Sequence, residues 1–210
     1  AATVKRVALE LGGKSPNIVF ADADFEQAVE GALFGVFLNQ GEVCSAGSRV
    51  LVQKPIYRKL LDAMVERTKK IKIGPGLAPD TKMGQLVSQY QYDKVLSYIE
   101  VGKKEARLAV GGGRPKDLPK ENERGFFVEP TIFYDVDNQA RIAREEIFGP
   151  VMSVIPFDRE EDAWRIANDT PYGLAAAVWT RDIFKALRTV RKLRAGIVWV
   201  NHMQAAPVEA

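Results

Sequence analysis

A lone cysteine, a glutamate set among leucines and a second glutamate beside a phenylalanine are the side chains best suited to chemistry in this 210-residue chain. Cys44 sits in Asn39-Gln-Gly-Glu-Val-Cys-Ser-Ala-Gly-Ser-Arg49, between the end of an amphipathic helical pattern and the start of a strand pattern. Gly41 and Gly47 bracket it, so the backbone can bend and present the thiol together with its own N–H. Thiolate is the nucleophilic form, and amide dipoles or a nearby cation would lower the thiol pKa enough to populate it. The plainer alternative is a small buried hydrophobe, since free cysteine is among the most buried residue types.

Glu10 lies in Val7-Ala-Leu-Glu-Leu-Gly-Gly-Lys-Ser-Pro16. A carboxylate inside an apolar strand should be partly desolvated, which raises its pKa and makes it a better proton acceptor near neutrality. An exposed position on an edge strand accounts for the same pattern equally well, and two glycines are too few for a phosphate-binding loop. In Glu145-Glu-Ile-Phe-Gly-Pro150, Glu146 could hold ribose hydroxyls while Phe148 packs beside a planar ring. A solvated pair of charges before a strand is the default reading of those two glutamates. The one histidine, His202, leaves no room for a conventional zinc site, and only it could serve a Cys–His pair.

These residues must be positioned by an alternation of short β-type runs and amphipathic helices, which points to a mostly parallel sheet covered by helices on both faces. Strands are expected at Val4–Leu11, Ile18–Phe20, Val50–Val52, Leu108–Val110, Thr131–Val136, Val151–Phe157, Ala175–Trp179 and Ile197–Val200. Asp22 and Asp24 offer N-caps for a helix burying Phe25, Ala28, Val29, Ala32, Leu33, Val36 and Phe37. Pro55 suits the first turn of a second helix, which buries Ile56, Leu60, Leu61 and Met64. Tyr92, Val95, Leu96 and Ile99 mark a third. Asp158 with Glu161 resembles a capping box for a fourth, and Ile183, Ala186, Leu187 and Val190 line a fifth. The polar stretch Arg114–Arg124 reads as an exposed loop.

Apolar residues make up 46% and charged residues 27%, an ordinary globular composition. The net charge of +3 is spread among mixed signs, which argues against a nucleic-acid groove or a membrane patch. No apolar run is long enough to span a bilayer, and no signal-peptide layout opens the chain. A single cysteine fits a reducing cytoplasm. One α/β domain over residues 1–210 is the simplest account, with both ends looking cut: strand-like at the start, and trailing through Ala205–Ala210 without a closing element.

Taken together, Leu9–Pro16, Gln40–Arg49, Glu146–Pro150, Asn168-Asp-Thr-Pro-Tyr-Gly-Leu174 and Gly196-Ile-Val-Trp-Val-Asn201 occur in an order and at separations that resemble the aldehyde dehydrogenase superfamily, over essentially the whole chain. The resemblance implies that Cys44 attacks an aldehyde to form a thiohemiacetal, that hydride passes to NAD or NADP, and that Glu10 activates the water that hydrolyses the resulting thioester. It implies that the Cys44 backbone N–H is one oxyanion donor. Glu146 would hold the nicotinamide ribose with Phe148 beside it, Leu11 and Gly12 would offer backbone contacts to the nicotinamide, and Gln91 and Lys94 would touch the cofactor. For the last two, a solvated helix face is the alternative. Asn201 and Gly173 are read as structural.

The resemblance further implies that the N-terminal cofactor-binding domain, which chooses NAD or NADP, and a C-terminal oligomerisation segment lie outside this chain. A Pro-x-Gly-Gly segment is expected soon after Ala210, and the parent protein is expected to be a homodimer or homotetramer. Glu42 replaces the glutamine more usual two residues before the nucleophile, with no role evident from sequence. Coenzyme-A-acylating relatives typically lack the deacylating glutamate, so Glu10 disfavours that variant. Two alternatives stay open: a cysteine hydrolase pairing Cys44 with His202, and a non-catalytic or esterase-only fragment. His202, Met203 and Gln204 are expected at the mouth of the aldehyde pocket. The aldehyde itself is left open, a betaine-aldehyde type among the candidates.

Overall fold

A computed structural model describes residues 4–204, leaving aside the side chain of Glu121. Seven strands form one sheet: β1 (Pro16–Val19), β2 (Arg49–Gln53), β3 (Arg107–Val110), β4 (Thr131–Tyr134), β5 (Val151–Phe157), β6 (Ala175–Trp179) and β7 (Ile197–Val200), in the spatial order β3-β4-β5-β2-β1-β6-β7. Every pairing is parallel except β3 with β4, which is antiparallel at the sheet edge. The helices are α1 (Phe25–Phe37), α2 (Tyr57–Thr68), α3 (Gln89–Glu105), the single turn α4 (Arg141–Arg144), α5 (Glu160–Asn168) and α6 (Ile183–Lys192).

Side chains alternate across the strands, so two cores form. Val19, Val50, Val52 and Val154 pack with α1 and α2 on one face. Ile18, Phe20, Leu51 and Ile155 pack with Val95 and Ile99 of α3, Ile142 and Ala143 of α4, and Ala163 and Ala167 of α5 on the other. Strands covered on both sides read as near-continuous apolar runs, which is what made β2, β5 and β6 conspicuous in the sequence. Asp24 caps α1 as expected, accepting a hydrogen bond from the Gln27 N–H at 3.1 Å.

Some expectations need correction. Val4–Leu11 is not a strand, because none of its backbone pairs with the sheet; Val7, Leu9 and Leu11 are 73%, 73% and 63% exposed. Alternating apolar residues make a strand only where a ladder partner and a covering layer exist. β4 stops at Tyr134 rather than Val136, because Asp135 turns left-handed at φ 52°. The cap of α5 falls one residue later than expected: the Asp162 carboxylate accepts from the Arg159 N–H at 3.2 Å, while Asp158 pairs with Lys54 at 2.6 Å. In α6, Ala186 and Thr189 are buried, whereas Ile183 and Leu187 are 61% and 47% exposed. The inner face is rotated from the expected one, and Thr189 on it accepts a hydrogen bond from the Trp164 indole N–H at 3.1 Å. The trailing segment Ala205–Ala210 lies outside the described residues.

Candidate active site

β5, β2 and β1 are neighbours and run parallel, so the loops that enter them reach the same end of the sheet. Those loops carry Glu146–Phe148, Cys44 and Glu10–Gly13. Convergence therefore takes place at the N-terminal ends of the strands, unlike the usual placement of ligands in open α/β sheets beyond the carboxyl ends.

The Cys44 thiol donates to Glu10 Oε2 at 3.2 Å, joining two residues 34 positions apart. The sulfur is half-buried, not sealed in the core. Its pKa is raised: burial is the largest cause, followed by the hydrogen bond to Glu10 and that carboxylate's charge, while the N–H groups of Ser45 and Cys44 pull it down. The expectation of a lowered thiol pKa is thus overturned, because burial of the sulfur and then an anionic rather than cationic neighbour both favour the thiol. Glu10 is exposed, so the desolvation expected of it is also missing; Leu9 and Leu11 flank it in sequence without enclosing it. What the geometry supplies instead is a carboxylate already hydrogen-bonded to the proton that must leave the nucleophile.

The paired glutamates divide. Glu145 accepts from Arg141 at 2.9 and 3.0 Å and from the Tyr98 hydroxyl at 2.5 Å, and these partners hold it at a pKa of about 2. Glu146 turns the other way, where its Oε1 accepts from the Gly13 N–H at 2.9 Å. A Cβ on Gly12 would lie 2.4 Å from Glu146 Oε2, and one on Gly13 would lie 2.3 Å from the Cys44 carbonyl oxygen. The two glycines therefore let the Glu10 segment press against both other loops at once. Leu11, 63% exposed, lies on the open side of that contact.

Phe148 is half-buried with a left-handed backbone at φ 57°. Gln91 is buried, which removes the solvated-face alternative for it: its amide donates to the carbonyls of Ile147 at 3.0 Å and Phe148 at 2.5 Å. Lys94, half-buried one turn along α3, makes no such contact. His202 is exposed in an open groove beside Phe34, Trp179 and Met203, and the Cys44 thiol is engaged by Glu10 rather than by His202. Gln204 reaches the site indirectly, accepting from the Ser45 hydroxyl at 2.8 Å. Asn201 is structural as expected, clasping both the N–H and the carbonyl of Thr180 at 3.0 Å.

Sequence reasoning missed Lys14. It is 1% exposed, adjoins Gly13 and lines small cavities on both sides. Burial lowers its pKa to about 7, with the nearby Arg49 charge adding to the effect and Glu146, then Glu145, opposing it. Arg49 is itself fully buried and donates only to neutral acceptors: the carbonyls of Lys14 (3.0 Å), Ile166 (3.0 Å) and Ala167 (2.8 Å), and the Asn138 side chain (2.9 Å). No local pattern marks either burial, because Lys14 precedes β1 and Arg49 opens β2, each following a run of small and polar residues.

The model of the aldehyde dehydrogenase family matches residues 1–210. The chain belongs to that family. Betaine aldehyde dehydrogenase of Mesorhizobium japonicum is 50% identical over 206 residues, covering 98% of this chain and 42% of that protein. Betaine aldehyde dehydrogenase of Bacillus subtilis is 51% identical over 199 residues, covering 94% and 40%. Among solved structures, betaine aldehyde dehydrogenase of Staphylococcus aureus, in complex with NAD+ and with a BME-modified cysteine, superposes at a TM-score of 0.94 with 48% identity, covering 99% of this chain and 42% of that one. The aldehyde dehydrogenase KauB of Pseudomonas aeruginosa superposes at 0.91 with 54% identity, covering 96% and 40%. The chain thus spans about two fifths of the length of these family members. Among the described residues, no helix is long and apolar enough to cross a membrane.

Proposed function

We propose that the protein to which this chain belongs oxidises an aldehyde to a carboxylic acid with NAD(P)+, using Cys44 as nucleophile and Glu10 as base. The observation that carries the reading is the 3.2 Å contact between Cys44 Sγ and Glu10 Oε2, beside the Gly13-to-Glu146 hydrogen bond. Glu10 takes the thiol proton as the sulfur adds to the aldehyde carbon, giving a thiohemiacetal. The Cys44 N–H is the oxyanion donor that this chain contributes. Nicotinamide, when bound, accepts hydride from that carbon, which leaves a thioester on Cys44. Glu10 passes the thiol proton to solvent and then deprotonates a water that attacks the thioester carbon; the C–S bond breaks, the acid departs, and Glu10 returns the water's proton to Cys44. Counted over the cycle, aldehyde, NAD(P)+ and water give acid, NAD(P)H and a proton.

The residues present fit the cofactor. Glu146 has one oxygen fixed by Gly13 and the other held over the bare Cα of Gly12, so a carboxylate is pre-aimed at the Leu11–Gly12 segment. In this reading Glu146 receives the nicotinamide ribose, Phe148 flanks it, and the backbone of Leu11 and Gly12 faces the ring. Gln91 shapes the turn from behind, and Lys94, one turn further along α3, is the second α3 residue assigned to the cofactor. We further infer that residues 1–210 form the catalytic domain, that the adenosine half is held by sequence outside this chain, and that the protein is a cytoplasmic homodimer or homotetramer. Betaine aldehyde heads the substrates to be tested, on the strength of the relatives' names.

One observation favours a second reading, an inert or esterase-only thiol: the raised pKa of Cys44. Steady-state oxidation of an aldehyde panel with both cofactors, in the protein with its natural flanking sequence, separates the two. Cys44→Ala and Glu10→Gln are expected to abolish NAD(P)H formation and His202→Ala to leave it intact. Loss on His202→Ala with retention on Glu10→Gln would make the protein a cysteine hydrolase instead.

A further inference from the structure

The turn that presents Cys44 is left-handed at Asn39 (φ 49°), Gln40 (φ 58°) and Gly41 (φ 75°), and the turn that presents Glu146 is left-handed at Phe148 (φ 57°). Such conformations persist in non-glycine residues only where surrounding contacts over-determine them. Those contacts close a ring. Glu42 Oε1 accepts from the Val87 N–H at 3.1 Å, and Gln40 Oε1 accepts from the Gly84 N–H at 3.2 Å, which ties the nucleophile turn to the segment leading into α3. Ser88 caps α3 by accepting from the Gln91 N–H at 3.2 Å. Gln91 then reaches out of that first turn to the carbonyls of Ile147 and Phe148. Gly149 completes the circuit, its carbonyl so close to Gly41 that a Cβ there would lie 2.2 Å away.

We propose that Glu42 and Gln91 are positioning residues that lock the Cys44 turn and the Glu146–Phe148 turn to each other through the first turn of α3, so that nucleophile and cofactor grip are set together. The proposal deepens the dehydrogenase reading and rests on it for the meaning of the second turn. Neither side chain touches the reacting atoms: Glu42 acts through Val87, and Gln91 through two carbonyls. It also gives the carboxylate two residues before the nucleophile a task that a glutamine oxygen could perform equally.

The test uses Glu42→Ala, Glu42→Gln and Gln91→Leu in the protein with its natural flanking sequence. Two quantities are read: the rate of Cys44 alkylation by iodoacetamide, and the KM for NAD+ apart from kcat. A role confined to each turn would move only the near quantity, so the crossed effects decide. Losing the one Glu42 bond is expected to raise the NAD+ KM about fivefold in Glu42→Ala, and losing both Gln91 bonds to slow alkylation by at least about that factor in Gln91→Leu. Glu42→Gln keeps an acceptor for Val87 and is expected to restore both. The double variant Glu42→Ala/Gln91→Leu is expected to be no worse in the crossed effects than either single change, because both break one path. Purely local effects, or no rescue by Glu42→Gln, overturn the proposal. Retained oxidation in Cys44→Ala would instead overturn the dehydrogenase reading, while the alkylation rates of Gln91→Leu would still report the coupling.

Discussion

Replacing Lys14 with methionine removes a buried amine while nearly conserving the volume and shape of the side chain. The wild-type amine is 1% exposed, and its pKa falls from the ordinary 10.5 to about 7. At 1.36 kcal/mol per tenfold change in proton affinity, that fall corresponds to about 5 kcal/mol by which the site, chiefly through burial and then through the Arg49 charge, disfavours the charged form. The sign follows from proton counting. Between pH 7 and 10.5 the unfolded chain keeps the Lys14 proton and the folded chain releases it, so this residue's cost is full below pH 7 and fades as pH rises. Methionine carries no such cost, and volume-conserving apolar replacements lose little packing energy. Lys14→Met is therefore expected to be more stable than wild type by several kcal/mol, on the order of 4, at pH 7, with the gain shrinking to roughly 1 kcal/mol at pH 9.5. Urea unfolding of both proteins across that range, followed by tryptophan fluorescence, measures the difference directly, and titrations common to both cancel. A difference that stays constant with pH, or a variant less stable than wild type at neutral pH, would refute the argument.

Two further expectations follow from the same geometry. Glu10→Gln removes the anion beside the sulfur, so the pH profile of Cys44 alkylation should move to lower pH even as aldehyde oxidation falls at least about 100-fold; an unmoved or higher profile would contradict the assigned cause of the raised thiol pKa. Asn201→Ala loses both 3.0 Å bonds to Thr180 and leaves alanine at φ 52°, a loss of roughly 2–3 kcal/mol by thermal or urea unfolding, of which Asn201→Gly should recover about 1 kcal/mol.

The sequence by itself determined most of the elements, because their signals are local. Asp24 lies next to the N–H groups it caps, and the inner residues of α1 and α2 recur at helical spacing within one stretch of chain. The apolar runs of β5, β6 and β7 were read to the residue. The motifs around Cys44, Glu10 and Glu146 were legible for the same reason, each being contiguous.

Tertiary structure alone decided what those motifs do to one another. Glu10 meets Cys44 across 34 residues and Gly13 meets Glu146 across 133, separations at which no periodicity carries information. Strand order brings β5, β2 and β1 side by side although they lie far apart in the chain. The same dependence explains the corrections. Val4–Leu11 alternates like a strand but finds no ladder, the Cys44 pKa is raised rather than lowered because the thiol is partly buried and its neighbour is a carboxylate, and Lys14 is buried although lysine normally seeks water. Burial and charge are properties of the space around a residue, and that space is furnished by segments remote in the chain.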